Sequence, residues 1–167
     1  MRILGIDPGY AIVGYGIINY NCGKFSVEGY GAITTKAGEP FADRLASIYA
    51  DLEYLIKKYK PEALAIEKLY FNTNTTTAID VAQARGVIVL GAKNNGLEIY
   101  EYTPLQVKQS VTGYGRADKK QVQEMTRVLL GLDSVPKPDD TADALAIAIC
   151  HAHSSGSIAQ HLKTGRF

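Results

Sequence analysis

The chain has 167 residues, 46% hydrophobic and 21% charged, with a formal net charge of +1. That length and balance fit one folded domain with an ordinary core and exclude wholesale disorder. No global basic field announces nucleic acid, so any such contact has to come from local patches. Cys22 and Cys150 are far apart and lack C-x-x-C spacing, which argues against a disulfide framework or structural zinc and fits a reducing compartment. The apolar runs near Val87 to Ala92 and Ala144 to Cys150 are too short for a membrane span, and Asp7 arrives too early for a secretory leader. A cytoplasmic protein with no membrane partner is the expectation.

Arg2 to Ile6 reads as a buried strand, with two more over Tyr10 to Tyr20 and Lys24 to Thr35. Pro8-Gly9 separates the first pair and Asn21-Cys22-Gly23 is a hairpin signal, so an antiparallel three-stranded meander is expected. Phe41, Leu45, Ile48, Leu52, Leu55, Ile56 and Tyr59 recur at helical spacing until Pro61. Ala63 to Ile66 is a short buried strand, and the polar loop Asn72 to Thr77 caps a helix that runs to Lys93.

In that helix Ile79, Ala82, Gly86, Val89 and Leu90 define one face, while Val81, Ala84, Ile88 and Ala92 are apolar or small as well. A helix apolar on nearly all sides requires cover on both, and a homodimer through Ile79, Ala82, Gly86 and Val89 supplies it. A strand over Leu97 to Tyr100 follows, then a short helix from Thr103-Pro104, another from Asp118 to Leu130 ended by Gly131, and a last one from near Pro138. This order describes a mixed sheet with helices on its faces. From Ser154 the apolar periodicity fades, so residues 154–167 are expected to form a flexible tail after a domain over 1–153.

Two of the buried strands end in carboxylates, Asp7 and Glu67, and Asp139-Asp140-Thr141-Ala142-Asp143 opens the last helix. If the two strands are neighbours, Asp7 and Glu67 emerge at one sheet edge. Asp140 and Asp143, or equally Asp139 and Asp143, share a helix face. Gathered carboxylates repel unless a cation lies between them, and Mg²⁺ takes a few such oxygens plus waters. Two such ions about 4 Å apart can support in-line displacement at phosphorus. Taken singly, Asp7 also fits a turn cap, Glu67 a solvated strand end, and Asp139 or Asp140 a helix N-cap.

Lys119 and Lys120 stand at a helix start, where the macrodipole disfavours cations. With Arg116, the pliant Gly113-Tyr114-Gly115 and Lys108 they make a candidate phosphate-contacting patch, the alternative being a solvated charged face. Tyr70-Phe71, on a polar loop after Glu67, are candidates to stack on splayed bases. His151 and His153 point in different directions and have no second ligand pair, which argues against zinc.

Gly5-Ile6-Asp7-Pro8-Gly9, Ala65-Ile66-Glu67, Gln83-Ala84-Arg85-Gly86 and Asp140-Thr141-Ala142-Asp143-Ala144-Leu145-Ala146, in this order, resemble the RuvC crossover junction endodeoxyribonucleases. The resemblance implies an α/β, RNase H-like fold: a five-stranded mixed sheet, three strands antiparallel and then two parallel, with helices on both faces. It implies a homodimer that resolves four-way (Holliday) junctions by paired symmetric nicks in recombination and repair. Asp7, Glu67, Asp140 and Asp143 would be the catalytic and metal-binding acids, with one or two Mg²⁺ ions per subunit and Mn²⁺ able to substitute. It also points to Lys108 and Lys119 as DNA contacts and to RuvA and RuvB as partners. A sugar-kinase or actin-like ATPase would need a second domain that this length does not accommodate. A non-cutting DNA-binding module would leave its acids facing a polyanion without purpose.

Overall fold

The computed structural model describes residues 1–69 and 75–164. Elements follow in the order β1 (Arg2–Asp7), β2 (Ile12–Asn21), β3 (Lys24–Thr34), α1 (Phe41–Tyr59), β4 (Ala63–Glu67), α2 (Thr75–Asn94), β5 (Glu98–Tyr102), α3 (Pro104–Thr112), α4 (Lys119–Leu130) and α5 (Asp139–Thr164). The strands form one sheet in the order β3-β2-β1-β4-β5. β1, β2 and β3 pair antiparallel, whereas β4 pairs parallel to both β1 and β5. This is the mixed sheet expected of an RNase H-like fold.

Local chemistry accounts for the boundaries. The β2–β3 hairpin turns through Cys22 and Gly23, both at positive φ, as a tight turn matching the strand twist requires. α1 stops where Lys60 turns left-handed before Pro61. α3 and α4 each open on a capping box, Thr103 with Gln106 and Asp118 with Gln121, and each ends on a left-handed glycine. β2 starts at Ile12 rather than Tyr10 because the preceding loop is tied to Thr35, whose N–H donates to the Ala11 carbonyl and whose hydroxyl donates to that of Tyr10.

Side-chain alternation splits the core in two. Leu4, Ile6, Ile17, Leu64 and Ile66 pack against Ile48, Leu52 and Leu55 of α1 and Ala84, Ile88 and Ala92 of α2. On the opposite face Ile3, Ile18 and Ala65 meet α5, which is roofed by Val107, Val111 and Val122 of α3 and α4. α5 is therefore the helix enclosed all round: Ala144 through Cys150 are buried, with the sheet on one side and two helices on the other. Its backbone stays helical to Thr164, so the expected domain boundary at 153 does not coincide with a helix end. Among the described residues no helix is long and apolar enough to cross a membrane.

Candidate metal centre

The same alternation decides where the strand-end acids point. Ile3 faces α5 while Leu4 and Ile6 face α1 and α2, so Gly5 and Asp7 fall on the α5 side. In β4, Ala65 faces α5 and Leu64 and Ile66 do not, which sends Glu67 the same way. The parallel register pairs Ile6 with Ile66, setting Asp7 beside Glu67 at the carboxyl ends of two adjacent strands. Both acids thus stand on rigid backbone at the edge that α5 crosses.

α5 brings its own acids there because the strands beneath it lack side chains. A Cβ on Gly14 would lie 2.0 Å from the Asp140 carbonyl oxygen, and one on Gly5 would lie 2.1 Å from that of Ala144. The first turn of α5 therefore rests directly on β1 and β2, and Thr141 locks it by donating its hydroxyl to the Gly31 carbonyl at 3.0 Å. Asp140 and Asp143 both act on Asp7 through space, whereas Asp139 pairs with Lys137 at 2.7 Å and lies 3.8 Å from the Lys119 ammonium.

Burial, followed by Asp143, Glu67 and Asp140, pushes the Asp7 carboxyl up to about 7, with Lys119 pulling the other way. Glu67 is raised by burial and Asp143 against the opposing pull of Lys108 and Lys119. Asp143 is raised as well, since its burial outweighs the hydrogen bond from Lys119. Burial and mutual repulsion both disfavour the ionised forms of these acids, a penalty that a cation bound among them would relieve. Among the described residues no three His, Cys, Asp or Glu side chains converge closely enough to enclose an ion. An open, all-oxygen donor set fits Mg²⁺ or Mn²⁺ that keeps several waters better than it fits a closed cage.

Lys119 stands at this centre. Its ammonium lies 2.9 Å from Asp143 and 3.8 Å from Asp139, and its pKa is raised by that contact. Lys108 joins it, lining with Glu67, Asp143 and Lys119 a cleft of about 200 Å³ roofed by Val107 and Val122. Lys120 diverges: it borders a different, mainly apolar groove with Tyr114, Met125 and Val128. Arg116 is exposed on the α3–α4 loop. The expected basic patch is thus split, Lys108 and Lys119 at the acids and Lys120 away from them. Tyr70 and Phe71 lie outside the described residues.

α2 presents Ile79, Gly86 and Leu90 to solvent, and a Cβ on Gly86 would meet nothing within 4 Å. Ala84, Ile88 and Ala92 are fully buried against α1 and the sheet. Val89, expected at a dimer interface, is partly buried and packs against this core, and Ala82 is partly buried as well. Ile79 and Leu90 are the large apolar side chains that α2 exposes among the described residues.

A mixed five-stranded sheet crossed by an acid-bearing helix, with carboxylates at the ends of two adjacent strands, is the arrangement of an RNase H-like nuclease. The family model for crossover junction endodeoxyribonuclease RuvC matches residues 3–151. The chain is 57% identical over 166 residues to the crossover junction endodeoxyribonuclease RuvC of Caldanaerobacter subterraneus, covering 99% of this chain and 100% of the relative. It is 62% identical over 154 residues to that of Alkaliphilus metalliredigens, covering 92% and 94%. Thermus thermophilus RuvC in complex with a Holliday junction substrate superposes with a TM-score of 0.88 at 35% identity, covering 93% of this chain and 94% of that one. The yeast mitochondrial Holliday junction resolvase, at 17% identity and a TM-score of 0.71, shares the fold. The chain belongs to the RuvC family of crossover junction endodeoxyribonucleases, metal-dependent nucleases that resolve Holliday junctions.

Proposed function

We propose that this chain resolves four-way junctions as a homodimer, each subunit nicking one strand with Mg²⁺ held by Asp7, Glu67 and Asp143 and supported by Asp140. The carrying observation is geometric: parallel pairing sets Asp7 and Glu67 side by side at the ends of β1 and β4, and Asp143 of α5 lines one cleft with Glu67. One or two ions per subunit, Mn²⁺ able to substitute, would supply the chemistry: an activated water and stabilisation of the leaving oxygen. Asp7 and Glu67 fix the donors on rigid strand ends, and Asp143 adds a helix-borne oxygen that Lys119 orients. Lys108 and Lys119 line the cleft at the acids, where their charge offsets that of a phosphate drawn toward carboxylates. Tyr70 and Phe71 are read as base-stacking contacts, and Arg116 and Lys120 as backbone contacts farther from the acids.

The exposed Ile79, Gly86 and Leu90 face of α2 supports pairing with a second copy, which would give two centres for two cuts. Action in the cytoplasm with RuvA and RuvB rests on family resemblance alone. The test incubates the protein with a synthetic four-way junction, a linear duplex and an RNA–DNA hybrid, each with Mg²⁺ or EDTA. Symmetric paired nicks in the junction only, abolished by EDTA, are expected; equal cutting of linear duplex, or cutting in EDTA, would overturn the reading.

A further inference from the structure

Arg85 occupies an unusual place for a helix residue beside an exposed apolar face. Its Nε donates to the backbone carbonyl of Glu67 at 3.2 Å, while Nη2 pairs with the Glu101 carboxylate. The side chain is only 18% exposed, although Glu101 is 44% exposed. One guanidinium thus joins three elements: α2, which carries it, the last residue of β4, and β5, where Glu101 pairs with Ile66.

Glu67 is the final residue of β4 and pairs with Tyr102, and the Lys68 N–H, in the same peptide group as the Glu67 carbonyl, donates to the Tyr102 carbonyl at 2.8 Å. Arg85 holds the other side of that peptide group through the Glu67 carbonyl. The two bonds together fix the ψ of Glu67, and with it the backbone from which the carboxylate projects. A rigid planar fork that holds this carbonyl and a neighbouring strand at once adds the second of these restraints. A lysine cannot do the same, because one ammonium on a flexible stem lacks the fixed two-pronged geometry.

We propose that Arg85 is a positioning residue for the metal centre: by clamping the Glu67 carbonyl to Glu101 it fixes the direction of the Glu67 carboxylate. The inference rests on the reading of Glu67 as a metal ligand. It also gives the QARG stretch a physical purpose, since Gly86 belongs to the exposed face and Arg85 reaches inward from the same turn. The position of α2, and whatever packs on it, is thereby coupled to one ligand of the centre.

The test measures Mn²⁺ binding by electron paramagnetic resonance on the full chain for the parent, Arg85→Gln, Arg85→Lys, Glu101→Gln and Glu67→Gln, with amide hydrogen exchange at Lys68 alongside. Partners that orient metal ligands typically govern affinity by one to two orders of magnitude, so the Mn²⁺ dissociation constant is expected to rise about tenfold in both Arg85 variants and less in Glu101→Gln. Exchange at Lys68 should accelerate in parallel, and junction affinity in EDTA should stay near the parent's. Ile48→Val, a core change on the same sheet face, controls for general loosening. If Arg85→Lys, folded by circular dichroism, binds Mn²⁺ like the parent, or if Ile48→Val weakens binding as much for an equal loss of melting temperature, the positioning role is overturned. If Glu67→Gln also binds like the parent, the ligand reading of Glu67 falls first and Arg85's role falls with it. Weakening by Glu67→Gln without any effect of Arg85→Lys removes Arg85's role alone.

Discussion

Replacing Asp7 by Asn separates the electrostatic strain of the centre from its chemistry. The Asp7 carboxyl, ordinarily at 3.8, is held up to about 7 in the metal-free fold. The folded protein therefore binds this proton more tightly than the unfolded chain does. The stability this contributes is complete below pH 3.8 and is lost as the pH rises through about 7. At ~1.4 kcal/mol per tenfold change in proton affinity, the full shift corresponds to about 4 kcal/mol. Because the group is coupled to three other acids, roughly half of that is a fair lower bound for what one substitution returns. Asp7→Asn in EDTA at pH 8 should then be more stable than the parent by ~2–4 kcal/mol, a rise in melting temperature on the order of 5–10 °C for a chain this size. Near pH 4 the two proteins should melt together. Differential scanning calorimetry in EDTA across this range reads the difference, and a junction-nicking assay in Mg²⁺ should show cleavage lost while binding persists. A mutant that melts with or below the parent at pH 8, or that nicks at the normal rate, would refute the reasoning.

Gly14→Ala places a methyl 2.0 Å from the Asp140 carbonyl, so the first turn of α5 has to move; a loss of ~1–3 kcal/mol by denaturant titration is expected, with nicking reduced more than junction binding. Lys119→Met removes the ammonium 2.9 Å from Asp143; since Lys119 is half-exposed, a destabilisation of about 1 kcal/mol in EDTA at pH 8 is expected, and the salt dependence of junction binding should weaken by about one ion. Leu90→Glu puts a charge on the free face of α2 and should yield monomers by sedimentation velocity that nick one strand without the coordinated second cut, with the fold unchanged by circular dichroism.

Much of this architecture is legible in the sequence because it is dictated locally. The hairpin at Cys22-Gly23, the stop at Pro61 and the terminal Gly131 are written in turn and cap chemistry, and the acids at the ends of Ile3–Ile6 and Ala63–Ile66 follow from a buried run meeting a charge. What distinguishes Asp140 from Asp139 is not local. It depends on Gly14 lying beneath α5, a contact between residues more than a hundred positions apart, and no helical spacing reports it. That Lys119 also pairs with Asp143, and that Val89 packs partly on the core, are likewise contacts between elements, which the spacing within one helix does not report. The T-x-x-Q and D-x-x-Q capping boxes at Thr103 and Asp118 are plain in the sequence, and they explain why α3 and α4 start where they set Lys108 and Lys119 over the cleft.

Under the proposed function, carboxylates from β1, β4 and α5 hold a divalent cation together. Anomalous diffraction from crystals of the protein soaked in Mn²⁺ tests it directly. A peak in contact with Asp7 and with at least one of Glu67 and Asp143 is predicted, lost in Asp7→Asn; Mn²⁺ bound only elsewhere, with these carboxylates facing solvent, would contradict the account.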